Sequence, residues 1–153
     1  MKEQELADLA DRFRTTLRLA VYVARRLDGD TGLPTTQLSI LNMIAGEGLR
    51  VGVIAENLGV RVPSATEQVG RLERAGLVER LADPTDARAV VVRRTPAGNH
   101  AAADANLRRT ARMVEAFSVL DPEELEALRA ALPVMDKINE RLHAATNPKE
   151  HIA

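Results

Sequence analysis

Apolar residues recur at three- and four-residue spacing near the start of the chain, where Leu6, Leu9, Phe13, Leu17, Ala20, Ala24 and Leu27 form one stripe. That spacing predicts an amphipathic helix, closed by Gly29, Gly32 and Pro34. Leu38, Leu41, Met43 and Ile44 predict a second helix, capped by Thr35 or Thr36 and stopped by Gly46 and Gly48. A short extended piece at Leu49–Val51 leads into a two-turn helix over Val53–Leu58, ended by Gly59. Pro63 then suits the first turn of a helix that carries Ala65, Val69 and Leu72 on one side and ends at Gly76.

The period changes next. Leu77–Leu81 and Arg88–Arg94 read as short strands, and Asp83, Pro84, Thr85, Asp86 and Ala87 between them suit a hairpin tip. Thr95-Pro96 opens a long Ala-rich helix to about Val119. Asp121, Pro122 and Glu124 open the last helix, whose stripe is Leu125, Leu128, Leu132, Met135, Ile138 and Leu142. The tail after Ala144 reads as frayed.

The expected fold is therefore mainly α with a small β-wing: a winged helix-turn-helix flanked by N- and C-terminal helices. The chain reads as a single unit over 1–153, with the winged helix-turn-helix lobe at 35–95. The terminal helices carry more apolar stripe than so small a lobe can cover. A second copy of the chain is the expected cover, a monomeric bundle the alternative.

Val53–Val78 carries the parts of a helix-turn-helix. Ala55 is the small residue where two helices meet, Gly59 tolerates a left-handed turn, and Val60 is the expected apolar pin. With residues 65, 69 and 72 buried, positions 63, 64, 67, 70, 71 and 74 face outward, ready for a major groove. Ser64 suits a base edge or a phosphate. At the flank, Thr66 offers its methyl to thymine and Gln68 suits adenine. Arg71 suits guanine or phosphate, and Glu67 has cytosine N4 as its main favourable partner. A solvated polar face is the plain alternative.

The hairpin shifts that balance. An arm bearing Arg88 beside an acidic tip fits a narrow minor groove, where negative potential concentrates, and Asp86 is placed to hold the guanidinium extended. An ordinary surface ion pair is the competing reading. The formal net charge of −1 gives no support by itself. Its distribution gives a little, with a net of +2 over residues 61–94 and −3 over 111–150.

Composition narrows the classes further. The chain has no cysteine, which excludes disulfides, thiolate metal sites and thiol redox sensing. Aromatics are 2%, so a stacking platform for single strands is not expected. Without a signal peptide or a membrane-length apolar run, the expected location is the cytoplasm, and no cofactor is expected.

Leu33 to Gly98 resembles the MarR family (multiple antibiotic resistance regulators). Four pieces carry the likeness: LPTTQLSIL at 33–41, IAENLGVRVPSATEQVGRLERAGLV at 54–78, DPTDAR at 83–88 and RRTPAG at 93–98. The resemblance implies a homodimer on a pseudo-palindromic double-stranded operator, with residues 5–28 and 96–144 as dimerisation helices. It also implies repression relieved by a small phenolic or lipophilic effector. By position, Asp86 and Arg88 match the family's wing pair, while Ser64, Thr66 and Arg71 match contacts of its recognition helix. There are three departures. Arg61 stands where a capping Ser is common, Glu67 where a basic residue is common, and Arg94 where an apolar residue precedes the threonine.

Other readings fare worse. His100, His143 and His151 are far apart, and with no HExxH or phosphate-binding glycine loop no catalytic set assembles. His100 and Asp104 lie one turn apart, as two zinc ligands would in a metal-responsive regulator, but a solvated pair is the plainer reading. A winged helix used only for protein contacts is the remaining alternative, and it has no need of Arg71 and Arg88. For an effector pocket, Arg18, Tyr22 and Met43 are the candidate liners, with core packing the competing role for Met43.

Overall fold

The computed structural model describes residues 2–27, 32–83 and 86–146. Among these, the order is α1 (Glu3–Leu27), α2 (Thr35–Met43), β1 (Leu49–Arg50), α3 (Val51–Leu58), α4 (Val62–Arg74), β2 (Val78–Asp83), β3 (Asp86–Arg94), α5 (Pro96–Phe117) and α6 (Pro122–Thr146). No described helix is long and apolar enough to cross a membrane. The chain divides into two compact units, Met1–Arg112 and Met113–Ala153.

The core of the first unit is aliphatic. Leu38, Ile40, Leu41 and Ile44 from α2 and its end meet Ile54 and Ala55 of α3, then Ala65, Val69 and Leu72 of α4. Val78, Val92, Ala102 and Ala105 close it from the sheet and α5. Close packing of this kind penalises every lost methylene. The sheet is antiparallel in the order β1-β3-β2, with Leu49 opposite Val92 and Val78 opposite Arg94.

Two glycines set how the elements join. Gly59 closes α3 in the left-handed region at φ 64°, and its N–H together with that of Val60 satisfies carbonyls of the last turn. Gly98 lets α5 pass directly against β2's entry, because a Cβ there would collide with the Leu77 carbonyl. Thr95 locks the same corner. Its Oγ1 accepts the Gly98 N–H at 3.0 Å and donates to the Gly76 carbonyl at 2.6 Å.

Several expectations are corrected. Pro34, not Thr35 or Thr36, precedes the first turn of α2, and no side chain caps it. Val51 starts α3 instead of ending β1, and the strands of the hairpin extend to Asp83 and back to Asp86. Val60 is 41% exposed, so the turn is held by backbone hydrogen bonds and not by an apolar pin. Gly29, Pro84, Thr85 and the tail with His151 lie outside the described residues, as do the side chains of Arg88 and His143.

The α1 stripe is open. None of its described side chains is buried, Leu6, Leu9, Leu19 and Val21 are exposed, and only Phe13 and Leu17 are half-buried. In the second unit, Asp121 and Glu124 form the expected reciprocal cap, at 2.9 and 3.0 Å, and open α6. Leu132 and Leu142 of α6 are exposed within the single chain, and Pro133 stands inside the helix.

Candidate nucleic-acid interface

Burial of Ala65, Val69 and Leu72, none with any exposed surface, fixes which side of α4 looks outward. Pro63, Ser64, Glu67, Arg71 and Arg74 are exposed, and Gly70 is half-buried. Arg61 occupies the position just before the helix in extended conformation and is exposed, and its side chain makes no capping hydrogen bond. The departure there removes a cap and puts a cation at the end of the helix that would face DNA.

The polar side chains of α4 divide into two groups. Thr66 Oγ1 donates to the Val62 carbonyl at 2.8 Å, so its hydroxyl is engaged within the helix. Gln68 is half-buried and accepts a hydrogen bond from Gln37 of α2 at 3.4 Å, which binds it to the lobe. Arg71 donates to Glu67 at 2.7 Å, one turn apart and both exposed. This gives the unexpected Glu67 an immediate partner: the outward face carries a charge pair instead of an isolated carboxylate.

The wing is fastened at three levels by arginines. Nearest the core, Arg94 Nε donates to the Leu41 carbonyl at 2.5 Å, and its Nη2 reaches Asn42 Oδ1 at 3.5 Å. The Leu41 carbonyl belongs to the last turn of α2, which has no intrahelical donor, and the negative end of the helix dipole favours a cation there. Burial lowers the Arg94 pKa from the ordinary arginine value, yet arginine remains charged at neutral pH. Asn42 in turn exchanges hydrogen bonds with Asn106 of α5 at 3.0 and 3.3 Å. The third departure is thus a tie from β3 to α2, which Asn42 carries on to α5.

At the next level, Arg80 of β2 donates to Glu73 of α4 at 3.1 Å. Toward the tip, Arg50 of β1 donates through Nε to Asp83 Oδ2 at 2.7 Å, its Nη2 pairs with the same oxygen at 2.7 Å, and its Nη2 lies 3.6 Å from Asp86. Asp86, expected to hold Arg88, faces Arg50 in this arrangement, and the Arg88 side chain lies outside the described residues.

Sequence reasoning missed Arg50, Gln37 and the role of Arg94. The only signal available was charge complementarity between Arg50 and an acidic stretch 33 residues later, too weak to stand out. Of the pocket candidates, Arg18 and Tyr22 are exposed on α1, with Arg26 stacked 5.7 Å above the Tyr22 ring. Met43 is half-buried against the core. No group of three or more metal-ligating side chains occurs among the described residues.

Residues 31–89 match the sequence model of the MarR family. A relative from Mycobacterium leprae, named an uncharacterised HTH-type transcriptional regulator, is 31% identical over 141 residues, covering 88% of this chain and 99% of its own. Two solved structures share the fold. CouR from Rhodococcus jostii RHA1, bound to p-coumaroyl-CoA, is 22% identical with a TM-score of 0.66, covering 93% of this chain and 94% of its own. An S. aureus MepR mutant bound to an oligodeoxyribonucleotide is 22% identical with a TM-score of 0.57, covering 84% and 96%. Family match, full-length relative and winged-helix architecture agree: the chain belongs to the MarR family and is a transcriptional regulator with a DNA-binding winged helix.

Proposed function

We propose that this regulator binds a pseudo-palindromic operator as a homodimer, represses transcription there, and is released by a small phenolic or lipophilic effector. One recognition helix serves each half-site. Ser64, the Thr66 methyl and Arg71 meet the major groove, Glu67 favours a cytosine beside the Arg71 contact, and Arg61 and Pro63 lie along the backbone. Gln68 positions α4 through Gln37 and reaches adenine only from the flank. Arg88 enters the minor groove of a narrow A·T segment, with Asp86 beside it near the wing's tip.

The observation that carries this reading is the outward charged face of α4 on the same lobe as an arginine-braced hairpin. The open apolar face of α1 supports the dimer, since a second copy carrying the same stripe is its natural cover. Residues 5–28 and 96–144 are the proposed dimerisation segments, and 35–95 the DNA-binding lobe. The effector part draws on the acyl-CoA ligand of CouR, with Arg18 and Tyr22 as the proposed polar contacts and Met43 as an apolar wall. Such a ligand acts only through a difference in affinity between DNA-competent and DNA-incompetent spacing of the two α4 helices.

The test is duplex selection from genomic fragments, followed by titration across salt and light scattering of the free protein. A dimer whose operator affinity falls steeply with salt is the expected result. Binding to no duplex, or binding indifferent to salt, would sink the DNA reading and leave a protein-docking module. Phenolic and acyl-CoA compounds that fail to shift operator affinity would remove the effector.

A further inference from the structure

The distal hairpin has a structural problem of its own. β1 is two residues long and pairs with β3 only at Leu49↔Val92 and Arg50↔Val91. Beyond Val91 the wing continues as a two-stranded ribbon, with Ala82 opposite Val90, Asp83 opposite Asp86, and an irregularity between Ala82 and Asp83. Two strands alone are marginal in water, and a break in register makes the tip's direction harder to hold.

We propose that Arg50 is the positioning residue of the wing: it holds the distal ribbon in its DNA-binding direction by bonding Asp83 and Asp86, without itself touching DNA. The proposal rests on the DNA-binding reading above. β1 and β2 lie on opposite sides of β3, so the Arg50 side chain must cross the central strand to reach Asp83. Its Nε and Nη2 converge on one carboxylate oxygen at 2.7 Å, and Asp86 from the facing strand lies 3.6 Å from Nη2. One guanidinium therefore touches both strands of the ribbon where they part. The Asp83 side chain is only 9% exposed while that of Arg50 is 45% exposed, so the carboxylate end of the pair is shielded and solvent screening acts mainly on the guanidinium. Lysine could not reproduce the fork, because its ammonium is a point donor on a flexible stem.

A guanidinium near a wing could alternatively be a phosphate contact, and the two roles separate in a double-mutant cycle. Wild type, Arg50→Gln, Arg88→Ala and the double variant are titrated against a duplex that the wild-type chain selects from a random pool. Amide hydrogen exchange over residues 78–94 is followed on the DNA-free proteins. With positioning, Arg50→Gln weakens binding by about tenfold in the wild type but less than about twofold in the Arg88→Ala background, because the wing it aims has lost its reader. Exchange in the ribbon rises while the thermal midpoint stays within a few degrees, and Arg50→Lys restores only part of either effect. Equal losses in both backgrounds, with the salt slope falling by about one, would make Arg50 a phosphate contact and overturn the proposal. Unchanged ribbon exchange in Arg50→Gln would overturn it too. If the wild type selects no duplex, the DNA reading fails on its own, and the exchange arm still decides whether Arg50 braces the ribbon.

Discussion

Helix α4, the proposed recognition helix, is fastened by Ala65, Val69 and Leu72, three apolar side chains with no exposed surface, whereas the wing is fastened by Arg94, Arg80 and Arg50. The helix is thus positioned by close packing, which leaves little tolerance in direction. The wing is positioned by charge-assisted bonds at three levels: a buried helix terminus for Arg94, a half-exposed pair for Arg80, and for Arg50 a half-exposed guanidinium on a nearly buried carboxylate. The two elements proposed to read DNA should therefore respond differently to perturbation. Damage to the helix should register as lost stability, damage to the wing as lost affinity in a folded protein.

The most severe test of that division is Leu72→Ala. It should cost about 2–5 kcal/mol of folding stability, read as a lower urea midpoint, with DNA binding lost in proportion to the unfolded fraction. Retained stability would mean that α4 is not held by its packing. Arg88→Ala should behave oppositely. Operator binding should weaken by about 1–3 kcal/mol, roughly five- to 150-fold, with an unchanged urea midpoint and an unchanged oligomeric state by light scattering. Equal binding by the variant would remove the wing from recognition.

Arg94 lies at the boundary between the two modes. Arg94→Ala leaves the Leu41 carbonyl without its donor at the end of α2 and should destabilise by about 1–3 kcal/mol in thermal or urea unfolding. Operator affinity per folded molecule should fall as well, because the same residue roots β3. A loss of stability without loss of affinity would show that the wing's root is set by strand pairing alone.

How much of this was legible in the chain follows the same division. The buried side of α4, the left-handed Gly59, the Thr95 cap and the Asp121–Glu124 box all arise within one or two helical turns, so spacing reveals them. The ties that aim the readers do not. Gln37 to Gln68 spans 31 residues, Arg50 to Asp83 spans 33, Arg94 to Leu41 spans 53 and Asn42 to Asn106 spans 64. A polar bond over such separations leaves no periodicity, and each partner alone looks like an ordinary solvated side chain. Val60 failed for the converse reason: a local apolar residue was read as packed, while backbone hydrogen bonds had already closed the turn.

The subtlest test lies on the helix itself, where one exposed pair departs from the packing rule. Glu67 and Arg71 meet at 2.7 Å on the face proposed to enter the groove, and so little stability rests on them that a change there reads recognition almost alone. Glu67→Gln removes a carboxylate from the neighbourhood of DNA phosphates and releases Arg71 from its partner. Binding to non-specific duplex at low salt should tighten by about two- to fivefold, since one repelled charge is gone from a salt-dependent contact. Discrimination should move the other way, because the carboxylate's favourable partner is the cytosine amino group and an amide accepts and donates without that preference. The measurement is a pair of titrations, against the selected operator and against a duplex with each C·G pair under α4 exchanged for T·A. A smaller affinity ratio in Glu67→Gln than in the wild type is expected. An unchanged ratio would assign Glu67 to holding Arg71 in place and leave base choice to Ser64, Thr66 and Arg71.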